Sequence, residues 1–274
     1  MPNALPPLSQ RIELLAESAT LAAAQRVREL QSQGLDVLSL TVGEPDFATP
    51  DHIAEAAIAA IRAGHTQYPP VPGIMPLRQA ISDKLARENG LRYRPEQIVV
   101  STGAKQCLYN ALVAVLDADS EVIIPAPFWV SYVPMTLLAG ARPVVVPTTA
   151  ASGYKLTPEL LRQTLTPRTR LLMLCTPSNP TGAVYTTEEL AALAEVLATR
   201  PDVWVLSDEI YEHLIYEGVH LSPATFSALA DRTIIVNGVS KAFAMTGWRI
   251  GWMAAPAPVA AAATKVQGQV TSGA

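Results

Sequence analysis

From Gln97 onward the sequence alternates between short apolar runs and stretches with helical spacing, and few folds accommodate that alternation. The runs lie at 98–100, 121–124, 143–146, 171–174, 203–206 and 233–236. Between most of them lie helical stretches, clearest at 104–116 and 187–198, with a shorter one at 158–164. Strands that follow one another through helical crossovers pair in parallel, with helices on both faces of the sheet. The expected class is therefore α/β, with a mostly parallel sheet. In such sheets ligands bind beyond the carboxyl ends of the strands.

Polar motifs stand at those ends. Ser101-Thr102-Gly103-Ala104-Lys105 follows the first run and opens a helix, where free amides and a glycine suit a phosphate. It matches neither a P-loop nor the dinucleotide fingerprint, which leaves a nucleotide-binding domain poorly supported. Pro127-Phe128-Trp129 offers a flat aromatic face to a ring, or equally a core aromatic. Ser178-Asn179-Pro180-Thr181-Gly182 is rigid enough to aim the Asn179 amide, or to be only a turn. Ser207-Asp208-Glu209-Ile210-Tyr211 brings a carboxylate and a phenol to the mouth of the sheet; Asp208 alone fits a helix start or a metal as well.

After the run 233–236 comes Gly238-Val239-Ser240-Lys241, then Gly247-Trp248-Arg249-Ile250-Gly251. A lysine just past a buried strand loses water, so its ammonium is disfavoured and the neutral amine becomes a nucleophile. Arg249 between two glycines suits an anion, its planar fork meeting oxygens where the backbone comes close. Together they suggest a Schiff-base lysine beside an anion clamp.

The first hundred residues are less regular. Residues 1–14 read as a Pro-rich, then amphipathic arm, followed by helices over 20–31, 51–64 and 76–89 that Gly34, Gly64 and Gly90 close. Residues 36–41 read as a strand leading into Val42-Gly43-Glu44-Pro45-Asp46-Phe47, where Gly43 permits a tight approach or an ordinary turn. Gln67-Tyr68-Pro69-Pro70 is too Pro-rich for a regular element.

A formal charge of −4 without a basic block argues against nucleic acid as a partner, and no apolar run reaches membrane-span length. The N-terminus lacks the regions of a signal peptide, and Cys107 and Cys175 fit a reducing compartment, so the cytoplasm is expected. Neither these cysteines nor His65, His213 and His220 have metal-ligand spacing, so no metal site is expected.

Taken together, the motifs resemble the class I/II aminotransferases, pyridoxal-phosphate enzymes of the aspartate aminotransferase fold, and most of all their bacterial aspartate/prephenate-type branch. The resemblance rests on Val42-Gly-Glu-Pro-Asp-Phe, Gln67-Tyr-Pro-Pro, Ser178-Asn-Pro-Thr-Gly, Ser207-Asp-Glu-Ile-Tyr and Lys241-Ala-Phe-Ala-Met-Thr-Gly-Trp-Arg-Ile-Gly. It implies that Lys241 forms the Schiff base with pyridoxal 5′-phosphate and that Asp208 pairs with the pyridine nitrogen. Asn179 and Tyr211 would serve the ring's phenolate oxygen, and Trp129 would stack on the ring. The phosphate would meet Gly103, Ala104, Lys105 and Arg249, with Ser240 in support and Tyr68 reaching in from the other subunit of a homodimer. Gly43, Trp129 and Asn179 would border the substrate. The implied reaction moves an amino group between an amino acid, aspartate-like or aromatic, and a 2-oxo acid.

Residues 1–45 would be the arm and a portion of the small domain, and 46–274 the cofactor-binding large domain. Two departures stand out. Gly238 occupies a position where the family often has a phosphate-binding serine or threonine. The family also continues for roughly another hundred residues, an ordinary domain increment, in a segment that supplies the arginine for the substrate α-carboxylate. No residue of this sequence is assigned that part, and the alternative expectation is a truncated cofactor-binding protein with little or no transaminase activity.

Overall fold

The computed structural model describes residues 6–16, 19–41 and 43–274. The first five residues of the arm and Val42 of the Gly43 motif lie outside them. In chain order the helices before the sheet are α1 (Gln10–Glu13), α2 (Ala19–Ser32), α3 (Asp51–Arg62) and α4 (Met75–Asn89). Then follow β1 (Ile98–Thr102), α5 (Ala104–Val115), β2 (Glu121–Ala126), α6 (Tyr132–Leu138), β3 (Arg142–Pro147), α7 (Pro158–Thr164) and β4 (Thr169–Cys175). The chain continues through α8 (Thr187–Ala198), β5 (Trp204–Asp208), α9 (Ser227–Ala230), β6 (Thr233–Gly238), β7 (Ile250–Ala254) and α10 (Ala257–Val270).

Apart from residues 36–41, the expected strands and helices form within a residue or two of their predicted bounds, and local chemistry sets several of those ends. Gly90 closes α4 in the left-handed region, φ 67°, where glycine carries no side-chain penalty. Thr186 and Glu189 cap the start of α8 reciprocally: Thr186 Oγ1 accepts from the Glu189 amide, and Glu189 Oε2 from the Thr186 amide.

The seven strands form one sheet in the order β1-β7-β6-β5-β4-β2-β3. β2–β3, β2–β4, β4–β5 and β5–β6 are parallel pairs. β7 runs antiparallel between β1 and β6, with Gly251 opposite both Ser101 and Gly238. Alternate side chains feed opposite faces, as the pleat requires. Val99, Ile124, Met173, Val236 and Met253 pack under α5, α6 and α10. Ile123, Leu172, Leu174 and Val205 pack under α7 and α8, while Val100, Ile235 and Trp252 meet α4. The sheet is thus buried on both sides, which is why its parallel strands read as uninterrupted apolar runs.

Two expectations are corrected. Residues 36–41 form no strand among the described residues: no neighbour pairs with them, and Leu38 and Leu40 stay exposed. β7 does form, although the sequence reading contained no strand there. No helix among the described residues is long and apolar enough to cross a membrane.

Candidate active site

Because β7 is antiparallel, its first residue lies at the same edge as the last residues of the parallel strands. Ile250 pairs with Thr102, so Arg249 arrives beside the turn that starts α5. The carboxyl ends of β1, β2, β4, β5 and β6 surround a cleft of about 720 Å³. Its walls include Gly43, Ala104, Lys105, Trp129 and Asn179, together with Asp208, Tyr211, Ser240, Lys241 and Arg249. Gly103 sits just behind, under the Arg249 guanidinium. Tyr68 is the one expected site residue left apart. It is 96% exposed and lies on a separate surface with Thr66, Gln67 and Pro69.

One end of the cleft is built for an anion. Gly103 caps α5 with φ 82°, and the first amides of a helix have no carbonyl a turn earlier to bond. The fit is tight. A Cβ on Gly103 would lie 2.5 Å from Arg249 Nη2, and one on Gly251 would lie 2.1 Å from the Ala104 nitrogen. Arg249 itself is in the left-handed region, φ 57°, at a cost of about 1 kcal/mol for a non-glycine residue. Its Nη1 donates to the Thr246 carbonyl at 2.9 Å, which aims the guanidinium. Lys105 holds its Nζ 4.7 Å from the centre of the Trp129 ring. Lost hydration, then repulsion from Arg249, keeps its ammonium below the usual lysine value.

The floor holds a buried carboxylate. Asp208 ends β5 at 4% exposure, and Tyr132 Oη donates to its Oδ2 at 2.7 Å. The Ile210 amide donates to Oδ1 at 3.3 Å. Burial pushes the Asp208 carboxyl up to about 6, against the pull of these two donors. No cation pairs with it among the described residues. Tyr132 was not anticipated. Its only signal in the sequence is its place one helical turn after Trp129, whose ring it meets edge-on with centroids 5.6 Å apart. Asn179 Nδ2 lies 3.2 Å from Tyr211 Oη, so the amide and the phenol act at one point. Cys175 borders this floor, and burial raises its thiol to about 12, which leaves it unreactive.

Lys241 follows β6 and is half-buried. Its Nζ donates to the Gly43 carbonyl and lies 5.9 Å from the centre of the Tyr211 ring. Burial lowers its basicity; Glu44 opposes that shift and Arg249 adds to it. Ser240 is buried at the same strand end. Gly238 belongs to the packing instead: a Cβ there would lie 2.9 Å from the Ile250 carbonyl oxygen and 3.0 Å from Gly251 Cα. The close β6–β7 pairing therefore leaves that position no side chain with which to hold a ligand. Thr49 ties the Gly43 segment down, donating to the Ala244 carbonyl at 2.7 Å and accepting from Trp248 Nε1 at 3.1 Å.

Known proteins resemble this chain over nearly all of its length. The family model for aminotransferase class I and II matches residues 35–274. The chain is 52% identical to the aspartate/prephenate aminotransferase of Cereibacter sphaeroides, over 97% of its own length and 67% of that relative's. It is also 52% identical to the bifunctional aspartate aminotransferase and glutamate/aspartate-prephenate aminotransferase of Petunia hybrida, where it spans 56% of the relative. Among solved structures, Thermus thermophilus aspartate aminotransferase with maleate superposes with a TM-score of 0.94 at 46% identity, covering 98% of this chain and 70% of that one.

Proposed function

The chain belongs to the aminotransferase class I and II family, and from that premise we propose that it catalyses pyridoxal-phosphate-dependent transamination between an aspartate-like or aromatic amino acid and a 2-oxo acid. The observation that carries this reading is Asp208, a buried carboxylate with no cation paired to it among the described residues, on the wall of a cleft that also holds a half-buried lysine. A protonated ring nitrogen is the partner such a carboxylate lacks. The α5 amides with Arg249 fit a phosphate, and the cleft thus suits both ends of the cofactor.

When bound, the cofactor supplies an electron-accepting ring that stabilises negative charge at the substrate α-carbon. Lys241 Nζ would hold it covalently, helped by the lowered basicity of the amine. Not engaged in that link, the same Nζ would be the group placed to take the substrate α-proton and return it as general acid. Asp208 would keep the ring nitrogen protonated, and the Tyr132 hydrogen bond favours the ionised form of Asp208. Asn179 and Tyr211 would hold the ring's phenolate oxygen, Trp129 would lie against the ring, and Ser240 would support the phosphate. Gly43 and Asn179 border the amino acid. The Thermus relative was solved with maleate, a dicarboxylate, which supports an acidic donor.

We read residues 1–45 as arm and small-domain portion and 46–274 as the cofactor-binding domain. Tyr68, exposed and outside its own cleft, supports a homodimer in which it serves the partner's phosphate. Two free cysteines fit the cytoplasm. The test is to add pyridoxal phosphate, reduce with borohydride and map the modified peptide by mass spectrometry. A single adduct on Lys241 is expected, and a separate, unreduced sample of the loaded protein should be converted by L-aspartate in a half-reaction. No adduct, or adducts scattered over other lysines, would overturn the assignment.

A further inference from the structure

Behind the cleft, and lining none of it, lies a buried polar hub centred on Glu212. Glu212 directly follows Tyr211 in the turn after β5, and its side chain is 5% exposed. Three donors from two other elements converge on it. Lys84 of α4 and Asn237 of β6 both donate to Oε1, the latter at 2.8 Å. Asn89, the last residue of α4, donates to Oε2 at 2.9 Å. The donors are held in turn: Lys84 Nζ also donates to Asn89 Oδ1 at 2.8 Å, and Asn237 Oδ1 accepts from the Gly238 amide at 2.7 Å. His213 and Glu88 stand at the outer side, 3.3 Å apart.

A buried ion pair is weak evidence for stability, because desolvating both charges offsets most of their attraction. Its clearest use is to fix geometry. Here the elements it fixes are those that carry the chemistry. Asn237 lies four residues before Lys241 on the chain leaving β6, and Glu212 is covalently next to Tyr211. No other side chain among the described residues receives hydrogen bonds from both α4 and β6. We propose that Glu212, with Lys84 as its counter-ion, is a positioning residue that holds the Tyr211 turn in register with the Lys241 strand. It acts through Tyr211 and Asn237 and touches neither substrate nor cofactor. The inference rests on the cofactor-site reading for its consequence, though not for its geometry.

The experiment compares Glu212→Ala, Glu212→Gln and Lys84→Met with the parent protein. In the cofactor-free protein, the pH dependence of Lys241 modification by an amine reagent, mapped by mass spectrometry, reads the basicity of Nζ. Titration of the cofactor-free protein with pyridoxal phosphate reads affinity. Glu212→Ala is expected to move the Lys241 profile toward that of an ordinary lysine and to weaken cofactor binding about tenfold to a hundredfold. Glu212→Gln keeps the length and the Oε1 acceptor, and should restore most of both. A lower melting temperature with an unchanged Lys241 profile and unchanged affinity would make Glu212 merely structural and overturn the proposal. If Glu212→Ala does not fold, Lys84→Met carries the same comparison, since it leaves Glu212 bound to Asn237 and Asn89 but without its counter-ion. Should the parent bind no pyridoxal phosphate, the functional reading fails, yet the Lys241 profiles still decide the role of Glu212.

Discussion

Tyr132 Oη donates to Asp208 Oδ2 at 2.7 Å from a ring that is 2% exposed, so the phenol reports to no atom other than those of the floor. Burial raises the Asp208 carboxyl to about 6, and the Tyr132 bond is the largest of the effects holding it down. Tyr132→Phe removes that donor without changing the shape of the core. The carboxyl should rise further, and pyridoxal phosphate affinity at pH 7 should fall about tenfold or more, the worth of a hydrogen bond to a charged group. Equilibrium titration at several pH values checks this. Unchanged affinity with an unchanged pH profile would show that Asp208 needs no help to stay ionised.

The same carboxylate links pH to stability. Its folded value, about 6, lies above its ordinary 3.8, so the folded cofactor-free protein binds a proton more tightly than the unfolded chain. The penalty is therefore absent below pH 3.8, grows as pH rises toward 6, and reaches about 3 kcal/mol at neutral pH. Asp208→Asn should raise the melting temperature of the cofactor-free protein relative to the parent by more at pH 7 than at pH 4. It should also abolish tight cofactor binding. Parallel melting curves for the two proteins across that range would mean that Asp208 is ionised without cost.

Much of this architecture was legible because buried parallel strands have no polar face. β2, β4, β5 and β6 carry runs such as Val122-Ile123-Ile124 and Ile234-Ile235-Val236, with all of these residues fully buried. β7 was hidden because it is short and Gly251 breaks its apolar run, and its place depends on the close approach of Gly251 to Ala104 and Gly238. That approach involves residues far apart in sequence. Residues 36–41 misled for the opposite reason: Val37, Leu38 and Leu40 have strand-like chemistry and no strand beside them. Lys241, Asp208, Asn179 and Arg249 were legible as a set of motifs at strand ends. Tyr132 was not, since only the folded helix α6 reveals that it faces Asp208.

At the opposite edge of the sheet, Glu121 is fully buried and accepts from Thr166 Oγ1, Arg168 Nε and Arg142 Nη2 at 2.6 to 2.7 Å. The Thr166 hydroxyl, then the two arginines, overcome its burial and hold the carboxyl at about 2, below the ordinary 4.5. A depressed carboxyl stabilises the fold fully above its unfolded value. That contribution is then lost as pH falls from 4.5 toward 2. Melting temperatures should decline through that window, and Glu121→Gln should lower the midpoint at pH 7 while flattening the decline. An equally steep decline in the variant would assign acid unfolding to other carboxylates.

Gly103 and Gly251 separate the demands of binding from those of folding. At both positions a methyl group has no room, but the obstructing atoms differ. On Gly103 the nearest are the Arg249 guanidinium atoms, the far end of a flexible side chain, although φ 82° adds strain of its own. On Gly251 they are the Gly103 and Ala104 backbone atoms at 2.1 to 2.7 Å. Gly103→Ala should therefore displace Arg249 from the anion end, weakening binding of both pyridoxal phosphate and inorganic phosphate, for a stability loss of about 1–3 kcal/mol. Gly251→Ala must part β7 from the α5 turn, and overpacking against backbone should cost at least the upper end of the usual range of about 1–3 kcal/mol. Denaturant unfolding alongside phosphate titration distinguishes the two. Gly103→Ala is expected to lose proportionally more affinity and Gly251→Ala more stability, and the reverse order would place the anion cradle elsewhere.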